Sequence, residues 1–318
     1  MTMDGSFFSS VTFGLFGVIL TGMSWSVIGT IMSDAPKHGV RAEIYQGVSA
    51  LFGIVVGIIG TICAGGCGEI PVLALYLYFF VDVLANILNF TALLLMSTAM
   101  QTGPNGAIWG IIQSAVIAPF AMGIVFFHVA ATPLRFGGII ALVAGLLFFA
   151  LSQNSKTDKG NSSWRIYTLI AFVATCLQQC LSTLPTYFAV FNNVPVFFRC
   201  IGCSTGVLAG FALCSVFWKS REHDYLLTVM KTLRLKYLWK YVFIGQIATL
   251  PVSYLLFYPS MRILSQNNMG SLSYPLTICA CILSFSIVAF WHIKEKMTVP
   301  QIMALICCTL GIFLFCAF

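Results

Sequence analysis

Residues 71–99, PVLALYLYFFVDVLANILNFTALLLMSTA, decide the fold. The run carries one charged side chain, Asp82, and is longer than the roughly 20 apolar residues needed to cross the hydrocarbon core of a bilayer. Nine further runs of the same kind are read at residues 7–32, 43–62, 104–128, 133–152, 164–189, 194–217, 237–263, 267–290 and 298–318. A membrane β-barrel would show segments of about ten residues with alternating polarity, whereas these runs are continuously apolar. The expected fold is therefore an all-α membrane protein of ten transmembrane helices. Composition agrees: 59% of the 318 residues are hydrophobic and 8% charged, where an ordinary soluble chain is about 25% charged. Mean hydropathy is +0.96.

The first run lacks a basic n-region and exceeds the length of a signal-peptide core, so it is expected to remain as a span. Most of the 12 cysteines lie within apolar runs, where a free thiol packs as a small hydrophobe. The spacing of Cys200 and Cys203 looks like a redox pair, but its place inside a span favours packing.

The net charge of +7 is explained by topology and does not imply a nucleic-acid partner. Of the 16 Lys and Arg, all but Arg135, Arg199 and Arg262 fall in or beside alternate loops. These are Lys37 and Arg41; Lys156, Lys159 and Arg165; Lys219, Arg221, Lys231, Arg234, Lys236 and Lys240; Lys294 and Lys296. The positive-inside rule makes that face cytoplasmic, which with ten spans leaves both termini extracytoplasmic. Met1 to Ser6 carries no basic residue, in agreement.

The polar stretch Ser152 to Ser163 divides the chain into residues 1–152, a cytoplasmic linker at 153–163, and residues 164–318. A second polar stretch, Ser220 to Lys240, mixes Tyr225, Leu226, Leu227, Val229, Met230 and Leu233 with Lys231, Arg234 and Lys236, which suits a basic amphipathic helix on the inner leaflet. The halves repeat. Phe126-Phe127-His128 matches Phe290-Trp291-His292, Gly106 matches Gly270, Thr132 matches Thr298 and Gly145 matches Gly311. Five is an odd number of spans, so the two five-helix repeats enter the membrane in opposite directions. Such inverted repeats are typical of carriers that bind solute near the midplane.

With Asn105-Gly106-Ala107-Ile108, the short Ala130-Ala131-Thr132-Pro133 turn and the His292-Ile293-Lys294-Glu295-Lys296-Met297-Thr298 turn, the chain resembles the drug/metabolite transporter superfamily over its full length. Basic residues after spans 1, 5, 7 and 9, and none in Met1–Ser6 or Ala64–Pro71, bring it closest to the rhamnose/proton symporter and glucose/ribose uptake branches. The resemblance implies alternating access, a sugar or polyol as substrate, and a place in a bacterial inner membrane.

Charged groups inside a span cost at least about 2.5–3.5 kcal/mol on insertion scales and are rare for that reason. Asp82, Asn86 and Asn89 share one helix face at i, i+4 and i+7. This stripe either crosslinks neighbouring helices or lines the solute path, with Asp82 then also a candidate for proton coupling. Arg199 either snorkels to the nearby helix end, pairs with Asp82, or holds an anionic group of the substrate. Gln246 stands at the repeat position of Asp82. Further candidates for solute contact are Trp25, Trp109 and Gln113 in the first half, and Gln178, Gln179, Tyr254, Tyr274, Asn267 and Asn268 in the second. Glu43, Tyr45 and Gln46 at the mouth of span 2 read as an anchor or gate. No metal-ligand spacing, P-loop, nucleophile elbow or dinucleotide fingerprint occurs, so neither an enzyme nor a cofactor is expected.

The expected function is secondary active transport of a small polar solute, with a proton or sodium ion as coupling ion and membrane lipid as the surrounding partner. The rival readings are an exporter of amino acids or other metabolites and a non-transporting scaffold or sensor. The charge distribution makes a first prediction: a fluorescent protein that folds only in the cytoplasm should stay dark when fused to the C-terminus, and bright fluorescence would overturn the assigned orientation.

Overall fold

The computed structural model describes residues 11–68, 70–128, 132–151, 163–191, 193–222, 224–266, 273–292 and 298–316. The N-terminal stub, almost all of the 153–163 linker, Asn267, Asn268, Gly270 and the 293–297 part of the last turn lie outside the described residues. The described residues are helical, with no strand among them.

Helix α1 spans Val11–Asp34 and continues into a 3-10 turn, Ala35–His38. α2 is Ala42–Cys63 and α3 is Val72–Met100. α4, Asn105–Phe127, contains one 3-10 turn at Ser114–Val116. α5 is Pro133–Leu151, α6 Ser163–Thr183, α7 Val196–Arg221 and α8 the short helix Tyr225–Leu233. α9 begins at Lys236–Pro251, widens into a π-helical segment at Val252–Phe257 and resumes as Tyr258–Gln266. α10 is Ser273–Trp291 and α11 Val299–Cys316. The π segment follows Pro251, whose missing N–H and bulky ring disrupt regular helix geometry.

Seven of these segments are long and apolar enough to cross a membrane: Val11–His38, Ala42–Cys63, Val72–Met100, Asn105–Phe127, Ser163–Tyr187, Val196–Arg221 and Lys236–Leu264. α5, α10 and α11 carry shorter apolar stretches, Phe136–Gly145, Leu276–Trp291 and Ile302–Gly311. The architecture is that of a multi-pass helical membrane protein. Its surface supports this, because large apolar side chains such as Phe16, Ile62, Leu73, Phe80, Ile140, Val216 and Phe313 point outward. Polar groups including Gln46, Asp82, Asn86, Ser97 and Arg199 are buried. A soluble protein would distribute these residues the other way.

The main packing pairs are α1 with α9 and α10, α3 with α6 and α7, α2 with α7, α4 with α6, and α5 with α11. Lipid tails are as apolar as the side chains they meet, so helices associate through close fit and interhelical hydrogen bonds. α7 presents Gly202, Gly206 and Gly210, four residues apart, to α3. A Cβ on Gly206 would stand 2.4 Å from the Val83 carbonyl oxygen, so no larger residue fits at this crossing. The α1–α10 crossing is similar: a Cβ on Gly22 would meet the Thr277 carbonyl oxygen at 2.0 Å, and Thr277 Oγ1 donates to the Val18 carbonyl at 3.1 Å. Ser97 Oγ joins α3 to α1 by donating to the Met32 carbonyl at 2.8 Å.

Overpacking a tight crossing costs about 1–3 kcal/mol or more. Gly206→Val should therefore lower the thermal unfolding midpoint of the purified protein. Gly137→Ala, whose new Cβ would meet only Leu314 Cδ1 at 3.8 Å among the described residues, should not lower it.

Candidate functional site

Five helices converge on a cavity of about 200 Å³. Ile28 and Met32 come from α1; Tyr45, Gln46, Ser49, Ala50 and Gly53 from α2; Asn86, Asn89 and Leu93 from α3. Cys203, Ser204 and Val207 come from α7, and Gln246, Thr249 and Leu250 from α9. None of these lining residues carries a formal charge. The polar ones are amides and hydroxyls, which both donate and accept hydrogen bonds.

Of the α3 stripe, Asn86 and Asn89 face the cavity, and Gln246 reaches it from α9. Gln46 Oε1 and Gln246 Oε1 are buried and have no hydrogen-bond partner among the described residues. Gln46 Nε2 is directed at the Phe90 carbonyl at 3.5 Å, which leaves its oxygen turned to other use. A buried acceptor without a donor costs about 1–3 kcal/mol, and a solute donor placed here would remove that cost.

Asp82 stands apart from the cavity wall and is tied to it through Asn86, whose Nδ2 donates to the Asp82 carbonyl oxygen at 2.9 Å. Its carboxylate is fully buried, with Arg199 Nε 3.5 Å from Oδ1. Arg199 is itself buried, so it pairs inward and does not snorkel. Its guanidinium donates from Nη2 to the Ser182 carbonyl at 2.5 Å and lies 5.2 Å from the Tyr258 ring centroid. At 3.5 Å the ion pair is longer than a charge-assisted hydrogen bond of about 2.7–2.9 Å. Neither Asp82 oxygen has a hydrogen-bond partner among the described residues.

The π segment of α9 shapes this region. Ser253 Oγ accepts from Trp25 Nε1 at 3.0 Å, and the Tyr254 ring stacks near Phe197 at 6.3 Å. Tyr274 packs against Trp25 and Phe257, with ring centroids 6.4 and 5.5 Å apart. Trp25, Tyr254 and Tyr274 therefore line an aromatic cluster beside Arg199 and not the cavity itself.

Four sequence candidates lie elsewhere. Trp109 is buried against Gly29 and Phe285, filling the space that Gly29 leaves, so it is a packing residue. Gln113, on the same helix as Trp109, is half-buried and does not line the cavity. Gln178 donates to Ser182 Oγ at 3.0 Å, and Gln179 is buried with Oε1 unpartnered among the described residues. Sequence reasoning missed Ser49 and Ser204 and took Gln46 for a gate. The signal was present on α2, where Gln46, Ser49 and Gly53 recur at i, i+3 and i+7 on one face.

Beyond the cavity, the ends of α1 and α2 are fastened to α7, α8 and α9. Arg41 pairs with Glu43 and, through Nη1, with Glu222 Oε2 at 2.9 Å. Its guanidinium lies 4.9 Å from the Trp218 ring and 5.2 Å from the Tyr225 ring. Burial opposes the charge on Arg41, but the Glu43 and Glu222 carboxylates outweigh it and raise its pKa above the usual value. Next to it, Tyr241 donates to Asp34 Oδ2 at 2.7 Å, and His38 Nδ1 lies 3.0 Å from the same hydroxyl. Glu43 is thus an anchor, whereas Tyr45, two residues further along and so on the other side of α2, faces the cavity.

The fold is that of a multi-pass helical membrane protein, with an uncharged cavity of mixed apolar and polar lining between α1, α2, α3, α7 and α9. No family model and no curated protein matches the chain. A solved structure described only as the crystal structure of a protein is similar over 96% of each chain, with a TM-score of 0.60 and 14% sequence identity. That likeness shows a common fold and nothing about activity.

Removing one partner of a buried ion pair costs about 3–5 kcal/mol, because the other charge is left uncompensated. Asp82→Asn should therefore lower the thermal unfolding midpoint sharply, and adding Arg199→Gln to the same chain should restore part of the loss. Additive losses in the double variant would show that the two groups are not coupled.

Proposed function

We propose that this chain is a secondary transporter of the drug/metabolite superfamily type, moving a small uncharged polar solute, a sugar or polyol, by alternating access. The observation that carries the reading is the uncharged cavity in which the Gln46 and Gln246 acceptors lack donors among the described residues. Hydroxyl groups supply such donors and, in turn, accept from the Asn86 and Asn89 amides.

The helix contacts support ten spans arranged as two inverted repeats. Exchanging α1–α5 for α6, α7, α9, α10 and α11 in order turns the α1–α10 contact into α6–α4 and the α3–α6 contact into α9–α1. The same exchange leaves α2–α7 and α5–α11 as they are. α8 then stands outside the repeat as an insertion. On this reading both termini are extracytoplasmic, and the Arg41 and Tyr241 clusters close the cytoplasmic end of the path.

Asp82 is the coupling group in this scheme and the proton is its ion. Protonating the carboxylate would release Arg199, whose interactions with α3 and α9 could then change as the path reverses. The 3.5 Å separation and the carboxylate oxygens, which have no hydrogen-bond partner among the described residues, support proton exchange at Asp82.

The test is uptake into proteoliposomes together with thermal stabilisation by a panel of sugars and polyols. A ligand that binds only the folded state raises apparent stability by RT ln(1 + [L]/Kd). Gln46→Ala and Gln246→Ala should each weaken stabilisation by the active solute about tenfold, the equivalent of one buried hydrogen bond of roughly 1.4 kcal/mol. An inward pH gradient should drive uptake. Efflux from loaded vesicles would favour the exporter reading, a sodium dependence would reassign the ion, and a panel with no stabilising solute would favour a scaffold or sensor.

A further inference from the structure

Six cations at one end of the molecule take no part in the cavity or in the Arg41 and Tyr241 clusters. Lys219 and Arg221 close α7, Lys231 and Arg234 lie at the end of α8, and Lys236 and Lys240 open α9. All six are exposed, and among the described residues none has a carboxylate partner. Of the two carboxylates in this stretch, Glu222 is engaged by Arg41, and Asp224, exposed at the start of α8, pairs with none of the six among the described residues.

Large apolar side chains stand exposed between these cations. Phe217, Leu226, Leu227, Met230 and Trp239 all face outward, while Tyr225 and Thr232 fix the opposite edge of α8 against the protein. Arg221 lies over the Phe217 ring at 4.5 Å, and Trp239 Nε1 donates to the Leu233 carbonyl at 2.8 Å. The patch is therefore built from ordered neighbours, apolar and cationic by turns.

Its level along the helices is also set. α7 has 26 residues, about 39 Å at 1.5 Å per residue, against about 30 Å for the hydrocarbon core. The helix is long enough for one end to reach the layer of phosphate headgroups, and Lys219 and Arg221 in its last turn mark that end. Lysine and arginine at that depth extend their charged ends to phosphate while their stems and the neighbouring apolar groups stay among acyl chains.

We propose that the surface formed by Lys219, Arg221, Lys231, Arg234, Lys236 and Lys240 is a docking surface for anionic lipid headgroups, whose phosphates meet the six cations while their acyl chains cover Leu226, Leu227 and Met230. A soluble polyanion would match the charges but leave these apolar side chains in water, so the mixed character of the patch selects lipid. The surface is also joined to the rest of the molecule, since Tyr225, the first residue of α8, packs under the Arg41 guanidinium that Glu222 holds. The inference does not rest on transport, and its test needs no solute.

Trp239 reports on the patch from within. The protein is reconstituted in phosphatidylcholine nanodiscs doped with brominated phosphatidylglycerol or, at equal mole fraction, brominated phosphatidylcholine. The Trp239 signal is taken as the difference between the chain and its Trp239→Phe variant. The anionic lipid should quench Trp239 more strongly, and high salt should weaken the preference. Each basic residue near a membrane surface is worth roughly a fivefold enrichment. Lys231→Gln and Lys240→Gln should each reduce the preference by about that factor, and neutralising all six with Lys219→Gln/Arg221→Gln/Lys231→Gln/Arg234→Gln/Lys236→Gln/Lys240→Gln should abolish it. Lys231→Arg/Lys236→Arg/Lys240→Arg, which keeps every charge, should retain it. Equal quenching by the two lipids would overturn the proposal, as would a preference that survives neutralisation or disappears in the charge-conserving variant.

Discussion

The close approach of α3 and α7 is the contact on which the rest of the interior depends. In lipid an apolar side chain gains little by turning inward, so helices stay together only where their backbones fit closely. The glycine stripe of α7 provides that fit. A Cβ on Gly202 would meet Asp82 Cβ at 3.0 Å, and one on Gly206 would meet Asn86 Cβ at 2.8 Å. The absence of side chains on one helix thus makes room for the polar stripe of the other. Arg199, one turn before Gly202 on α7, is carried by the same crossing to within reach of the Asp82 carboxylate.

That geometry separates charge from cavity. A charged group in a span must be paired or leave the hydrocarbon, and Asp82 and Arg199 satisfy the requirement mutually. One to two turns further along α3, Asn86 and Asn89 face a space with no formal charge. The Asn86 amide, bonded to the Asp82 backbone, joins the two regions. A change at the ion pair can therefore reach the cavity wall through a single side chain.

The two ends of the helices solve a different problem. Where the helices leave the hydrocarbon, charges are no longer costly, and dense networks appear: Arg41 between two carboxylates and two aromatic rings, and Tyr241 with Asp34 and His38. These fasten the ends of α1 and α2 to α7, α8 and α9. Cations left over after that pairing gather beside exposed apolar residues at the same end, a combination that suits the border between headgroup and acyl chain.

The sequence by itself determined that the chain is helical and built for lipid, because continuous apolar runs of membrane length admit no other satisfied backbone. It also determined that Asp82, Asn86 and Asn89 share a face, since helical periodicity fixes which residues of one helix lie together. The sequence reads as ten spans, of which seven have full membrane length among the described residues, whereas α5, α10 and α11 carry shorter apolar stretches. Only the tertiary structure decided which faces meet. Trp109, an attractive solute contact in the sequence, fills the hollow at Gly29, and Gln46, read as a gate, reaches the cavity because α2 crosses α7 at its own small residues. Arg199 could have snorkelled, and it pairs because the α7 crossing turns it inward. Periodicity orders residues around one helix axis, but the rotation and depth of each helix against its neighbours are set by close packing across the interface, to which residues distant in the sequence contribute.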